Sequence, residues 1–198
     1  MEISKIAARY INKLQWVVIA LKPKGKSPQM PKWNTQINLE NCKKWLKEWL
    51  KEGSNLGLLC GEISKVIVLD IDRLKPKDDP NSLIDGLEYW NELTKEHLIP
   101  QTACAKSGRG GLHFFFAYNK RTSKFRGSNE ILQIGNKKVE WNLLTDKMSR
   151  GGELGASNLV VLPSTHPDTG RQYEWIRDPF RYPVLEMPDL VIRNTRGQ

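Results

Sequence analysis

The chain has 198 residues, 39% of them hydrophobic and 27% charged, a soluble balance with room for one large domain or two closely packed small ones. Thirty-one lysines and arginines against 22 acids give a formal charge of +9, which favours a polyanionic partner, nucleic acid first. There is no apolar run of membrane-spanning length, no apolar core of a secretory signal at the N-terminus and no CxxC spacing among Cys42, Cys60 and Cys104. A cytoplasmic protein with reduced core thiols, no zinc and no membrane partner is expected.

Ile6, Ala7, Tyr10, Ile11 and Leu14 recur at helical spacing and predict a helix over residues 4–14, followed by an apolar strand over 17–21. Residues 22–28 (Lys-Pro-Lys-Gly-Lys-Ser-Pro) are a turn-rich basic loop, whose lysines either meet phosphates or are simply solvated. A second helix is expected over 39–52, with Asn38 as cap, Gly53 as stop and an apolar face that includes Trp45 and Trp49 as core. Residues 56–60 read as a short strand.

Residues 65–72 (Lys-Val-Ile-Val-Leu-Asp-Ile-Asp) organise the rest. Both faces of this run are apolar, the mark of a central strand covered on both sides. Alternation puts Asp70 and Asp72 on one face and Ile71 on the other. Two carboxylates closing a buried strand are expensive to desolvate, and a divalent cation between them removes that penalty. Residues two apart on a strand are ~6.6 Å apart at Cα, close enough to share two hard-oxygen sites for Mg²⁺ or Mn²⁺.

Beyond a polar loop with Pro76 and Pro80, a third helix is expected over 83–96, although Gly86 weakens it. Residues 102–106 look extended. Residues 107–111 (Ser-Gly-Arg-Gly-Gly) form a glycine loop that either nests an anion, with Ser107, Arg109, Gly110 and Gly111 contributing, or is only a hairpin turn. It is neither a Walker loop nor a Rossmann fingerprint, because no Gly-Lys-Ser/Thr and no helix follow it. An apolar strand over 112–118 then carries His113, placed to bond a triphosphate or to donate a proton. In residues 119–127, Lys120, Arg121, Lys124 and Arg126 surround Phe125, a pattern suited to a nucleic-acid backbone with one stacked base or to an exposed basic loop. A strand over 139–144 bears Glu140, a third acid for a metal, with Asn142 on the same face; Asp146 competes for that role from irregular sequence over 145–157. Further strands are expected over 159–162 and 171–176, and the proline-containing tail from Asp178 reads as a peripheral wrap or linker. Alternating helices and strands indicate an α+β, mixed α/β domain with a mixed sheet.

The order of these motifs, a strand ending in Asp70-Ile71-Asp72, then Ser107 to His113, Val139-Glu140, and Val161-Leu162-Pro163-Ser164-Thr165-His166, resembles the bifunctional primase–polymerase (Prim-Pol) domain of the archaeo-eukaryotic primase superfamily, found in plasmid, phage and CRISPR-associated replication proteins. The resemblance runs from about Val17 to Trp175. It implies a single catalytic domain over 1–198: a small N-terminal α/β module (1–64) and an RRM-like catalytic module (65–177) sharing one cleft, with a C-terminal wrap (178–198). It implies a two-metal site of Mg²⁺ or Mn²⁺ on Asp70, Asp72 and Glu140, the last standing where the family more often has aspartate. It gives nucleotide contacts to His113, Ser107, Arg109, Ser164, His166 and Lys26. Single-stranded DNA template and primer and nucleoside triphosphates are the implied partners, with a monomeric chain and a helicase or accessory domain beyond Gln198. A two-metal nuclease and a non-catalytic single-strand-binding module are the rival readings.

Overall fold

The computed structural model describes residues 2–126, 128–134, 136–148, 154–161 and 164–195. In chain order these form α1 (Ile3–Leu14), β1 (Val18–Leu21), α2 (Trp33–Gln36), α3 (Cys42–Trp49), β2 (Asn55–Cys60), a 3₁₀ turn (Glu62–Ser64), β3 (Val66–Ile71), β4 (Leu83–Ile84) and α4 (Gly86–Thr94). There follow β5 (Cys104–Lys106), β6 (Leu112–Ala117), β7 (Ser128–Ile134), β8 (Lys137–Leu144), β9 (Asp146–Met148), β10 (Leu154–Val161), β11 (Glu174–Arg177) and α5 (Asp189–Thr195). The architecture is α+β, with two sheets.

The smaller sheet has the order β1-β2-β10-β9, all antiparallel. The larger runs β11-β5-β6-β3-β8, with β8 also taking β7 along one edge and the short, parallel β4 beyond β3 on the other. A β-α-β-β-α-β unit would place a second helix before its fourth strand; between β6 and β8 this chain forms β7 instead. The small sheet begun by β1 and β2 is completed by β9 and β10, so a division of the chain at residue 64 does not coincide with the sheets.

β3 explains why its sequence is apolar on both faces. Val66 and Val68 join the core between the two sheets, with Leu56, Leu58, Leu159 and Phe115. Ile67, Leu69 and Ile71 join a second core on the far face, with Trp90 of α4, Trp141 of β8 and Val191 and Ile192 of α5. Asp70 and Asp72 continue the Val66–Val68 face, so the acids emerge where the space between the sheets opens. Cys42, Cys60 and Cys104 are buried free thiols.

Several elements depart from the sequence reading for identifiable reasons. The second helix begins at Cys42, not Leu39, because Asn38 and Asn41 each accept the other's backbone N–H at 2.9 Å and hold a turn there. It ends at Trp49, with Leu50 already extended. The third helix starts at Gly86: Leu83–Ile84 pairs with β8, and the Asp85 side chain caps α4 by accepting from Leu87 and Glu88. The stretch read as irregular contains β9 and the start of β10. The tail is no linker: α5 packs into the second core, and Trp141 Nε1 donates to Thr195 Oγ1 at 3.2 Å. Gly127, Gly151, Gly152, Leu162 and Pro163 lie outside the described residues.

Candidate active site

Antiparallel register builds the site. β3 runs between β6 and β8, so Asp70 stands opposite His113 on one side and Asn142 on the other. His113 Nε2 lies 3.2 Å from Asp70 Oδ1, and Asn142 Nδ2 lies 3.4 Å from Asp72 Oδ2. Glu140, two residues before Asn142 on β8, shares a cleft with Asp72. A cavity of about 240 Å³ opens over this end of β3, lined by Lys26, Asp70, Asp72, Ser107, His113 and His166, with Leu144, Leu159 and Tyr173 as its remaining wall. It faces both sheets: Leu159 comes from β10, Leu144 from β8.

The glycine loop leads from β5 to β6 and is shaped by Ser107. Its Oγ accepts from Gly111 N at 3.1 Å, and Gly110 N donates to its carbonyl at 2.8 Å. Two amides of the expected anion nest are therefore occupied within the loop. Gly110 has φ +90, and Gly111 presses so close to β3 that a Cβ would stand 2.5 Å from the Ile71 carbonyl oxygen. The loop is clasped to the turn after Ser164: Thr169 Oγ1 donates to the Gly108 carbonyl at 3.2 Å, and Arg109 pairs with Asp168. His166 accepts at Nδ1 from the amides of Asp168 and Thr169, which leaves its proton on Nε2. Burial, then nearby Lys26, pushes its pKa down.

The remaining candidates are distributed differently. Ser164 is buried and fastens to β2, accepting from Leu56 N at 2.9 Å, away from the cavity wall. Glu140 lines an adjoining cleft that also includes Asp72, and its carboxylate accepts from Lys75 Nζ at 3.1 Å. Asp146 turns elsewhere: it accepts from Glu62 N and anchors the 3₁₀ turn. In the 119–126 loop, Arg121 pairs with Glu186 and Asp189, and Arg126 Nη1 donates to the Ser123 and Phe125 carbonyls. Phe125 is buried in the second core, so no base can stack on it; Lys120 and Lys124 are exposed. Sequence reasoning missed Tyr173, although it lies in the short polar-aromatic strand region, and Lys75, one of several lysines in a proline-containing loop.

Negative charge is crowded here. Burial, then Asp70, with a further push from Glu140, raises the Asp72 carboxyl to about 6. His113 is only 4% exposed, and its Nδ1 has no partner among the described residues. Asp70, Asp72 and Glu140 are hard oxygen donors of the kind Mg²⁺ and Mn²⁺ take, and the crowding that raises Asp72 is what such an ion relieves, so the residues fit it. Among the described residues no three His, Cys, Asp or Glu side chains close on one point; Glu140 is drawn to Lys75 instead.

The sign of the Asp72 shift yields a test. A carboxyl whose folded pKa stands above its ordinary value of 3.8 favours the fold when protonated, and that contribution fades as pH rises through about 6. In EDTA, Asp72→Asn should therefore stabilise the protein against urea at pH 7.5 and have little effect at pH 4; an equal change at both values would contradict the crowding.

Paired acids, a buried histidine and a lysine thus meet around one cavity. The chain matches the bifunctional DNA primase/polymerase N-terminal (Prim-Pol) family over residues 7–190 and belongs to that family. Membership makes it a nucleotidyltransferase-type enzyme, with DNA and nucleotides as its implied substrates. No curated protein matches it. Among the described residues, no helix is long and apolar enough to cross a membrane.

Proposed function

We propose that this chain carries out template-directed transfer of nucleotides from nucleoside triphosphates onto a growing strand, by a two-metal mechanism, as a DNA primase/polymerase in the replication or repair of a plasmid, phage or CRISPR-linked element. The observation that carries this reading is the pairing of Asp70 with His113 in one cavity with Lys26, Ser107 and His166. Acids and phosphate-binding groups face the same space, as transfer from a triphosphate requires and hydrolysis by a nuclease does not.

Asp70, Asp72 and Glu140 would hold the divalent ions, which would supply Lewis-acid activation of a 3′-hydroxyl and neutralise charge at the α-phosphate. The chain's own groups do the positioning. Lys26 brings a cation to the triphosphate. His113 lines the cavity with Nε2 turned toward Asp70, and meets the triphosphate from that edge of its ring. His166, with its proton on Nε2, is a donor for a phosphate oxygen. Tyr173, Leu144 and Leu159 give the cavity an apolar wall that excludes water from the nucleoside side. Arg109 reaches the phosphates by exchanging Asp168 for them.

The decisive experiment is synthesis on unprimed single-stranded template, with ribo- or deoxyribonucleotides and Mg²⁺ or Mn²⁺, run beside primer extension. Product dependent on template and triphosphate supports the reading; template degradation without synthesis supports the nuclease, and binding without either supports the non-catalytic module. The same assay ranks the acids. Glu140→Gln should weaken Mn²⁺ binding by about tenfold or more and slow synthesis in step. Asp146→Asn should leave Mn²⁺ affinity alone and lower stability by about 1 kcal/mol through its weakened bonds to Glu62 N.

A further inference from the structure

We propose that an open row of lysines on the N-terminal part of the chain, Lys22, Lys24, Lys51, Lys47 and Lys43, carries the sugar–phosphate backbone of a single-stranded nucleic acid to the cleft. This rests on reading the cleft as a template-directed site. Charge is distributed unevenly along the chain. Residues 1–60 hold eleven lysines and arginines against four glutamates, +7 of the total +9, whereas residues 61–198 hold twenty against eighteen acids.

The fold arranges this excess into a continuous path. Lys26 lines the cavity. Its turn is closed by Lys22 N donating to the Ser27 carbonyl and Gly25 N to the Lys22 carbonyl, both at 2.9 Å, which leaves Lys22 and Lys24 exposed beside it. The turn abuts the segment after α3: Asn55 Nδ2 donates to the Gly25 carbonyl at 2.9 Å, and a Cβ on Gly53 would lie 3.7 Å from Pro23 Cβ. Lys51 is tied into that segment, donating from its amide to Ser54 Oγ at 3.0 Å. That segment follows α3, on which Lys47 and Lys43 are exposed and four residues apart on one face; Lys44 and Glu48 stand on the neighbouring row. Lys43 and Lys47 rim a groove of about 290 Å³ floored by Ala7, Ile11 and Leu46 between α1 and α3.

The row is free of internal neutralisation. Among the described residues no carboxylate forms an ion pair with Lys22, Lys24, Lys43, Lys47 or Lys51. The basic loop over 119–126 is the opposite case, with Arg121 engaged by two acids and Arg126 by carbonyls. Point charges without exposed aromatic rings or a planar guanidinium suit phosphates and not base edges, so the row should bind without regard to sequence. Its contact with the cavity through Lys26 gives the strand a direction, toward Asp70.

Fluorescence anisotropy of a labelled single-stranded oligonucleotide, titrated with the protein in EDTA over a salt series, tests this. Replacing Lys22, Lys24, Lys47 and Lys51 together by Gln should weaken binding at least tenfold and flatten the log–log salt dependence by about 2–3, at roughly 0.7 per lost phosphate contact. A charge-matched variant, Lys95→Gln/Lys137→Gln/Lys138→Gln/Lys147→Gln, should keep most of the slope. Equal loss in both variants, or an unchanged slope in the first, overturns the proposal. So does displacement of the oligonucleotide by polyglutamate at equal charge, which would assign the row to an acidic protein. Failure of the catalytic reading would appear separately, as absent synthesis with binding and its salt slope intact.

Discussion

Asp70→Asn should lower nucleotidyl transfer by about 10³-fold, equivalent to about 4 kcal/mol at the transition state, while folding and single-strand binding are retained. The argument is one of shape against charge. Asp70 is flanked by His113 and Asn142 on neighbouring strands, with its neighbours Leu69 and Ile71 fully buried in the second core. Asparagine fills the same space and can still meet His113, so β3 has no reason to shift. What disappears is the negative charge needed to hold a divalent ion. The measurement is the rate of template-dependent synthesis beside a thermal melt and single-strand anisotropy. Synthesis at the wild-type rate by a folded Asp70→Asn protein would remove Asp70 from the metal site.

The second large effect is expected at a residue with no side chain. In Gly111→Ala the new Cβ would meet the Ile71 carbonyl oxygen at 2.5 Å and Asp72 Cα at 3.5 Å. From the other edge of β3, Gly86 donates its N–H to the Asp72 carbonyl at 3.0 Å, and a Cβ there would lie 2.3 Å from that oxygen. The backbone carrying the second acid is thus gripped between two glycines and cannot yield in either direction. Gly111→Ala should cost about 2–4 kcal/mol in urea denaturation and reduce synthesis further than the lost stability explains, because Asp72 is displaced. Gly170→Ala is the comparison: it has φ +67 but nothing within 4 Å, so only about 1 kcal/mol of backbone strain is expected there, with activity retained. A Gly111→Ala protein as stable and active as Gly170→Ala would show that the close approach does not matter.

These two sites also show where sequence reading succeeds. A strand covered on both faces must be apolar on both, so Val66 to Leu69 and the two acids after it could be read directly. β8 could be read as well, because Val139, Trp141 and Leu143 alternate with Glu140, Asn142 and Leu144, and the structure buries the first set. Register could not be read: nothing local says that His113 faces Asp70 or that Tyr173 closes the cavity wall, since both follow from pairing between distant strands. β9 and the start of β10 escaped for a related reason. Neither is an apolar run, and they are strands because each offers the other a partner where β10 continues on from β2. The late start of α3 depends on the exchange of side-chain bonds between Asn38 and Asn41, two residues that each look like an ordinary cap alone. That Asp146 spends its carboxylate on the 3₁₀ turn was equally out of reach, because Glu62 lies 84 positions earlier in the chain.

β3 supplies alternate side chains to two cores that otherwise share little: Val66 and Val68 to one, Ile67, Leu69 and Ile71 to the other. Thermodynamically this makes the strand a cooperative link. Opening either core strips one face of β3 and exposes the apolar side chains it had buried, so the loss of one is transmitted to the other. The acids sit at the end of that same link. The protein consequently has no inexpensive route to a state in which one layer is melted and the acidic end of β3 survives, and catalytic competence should vanish in the same all-or-none step as the fold.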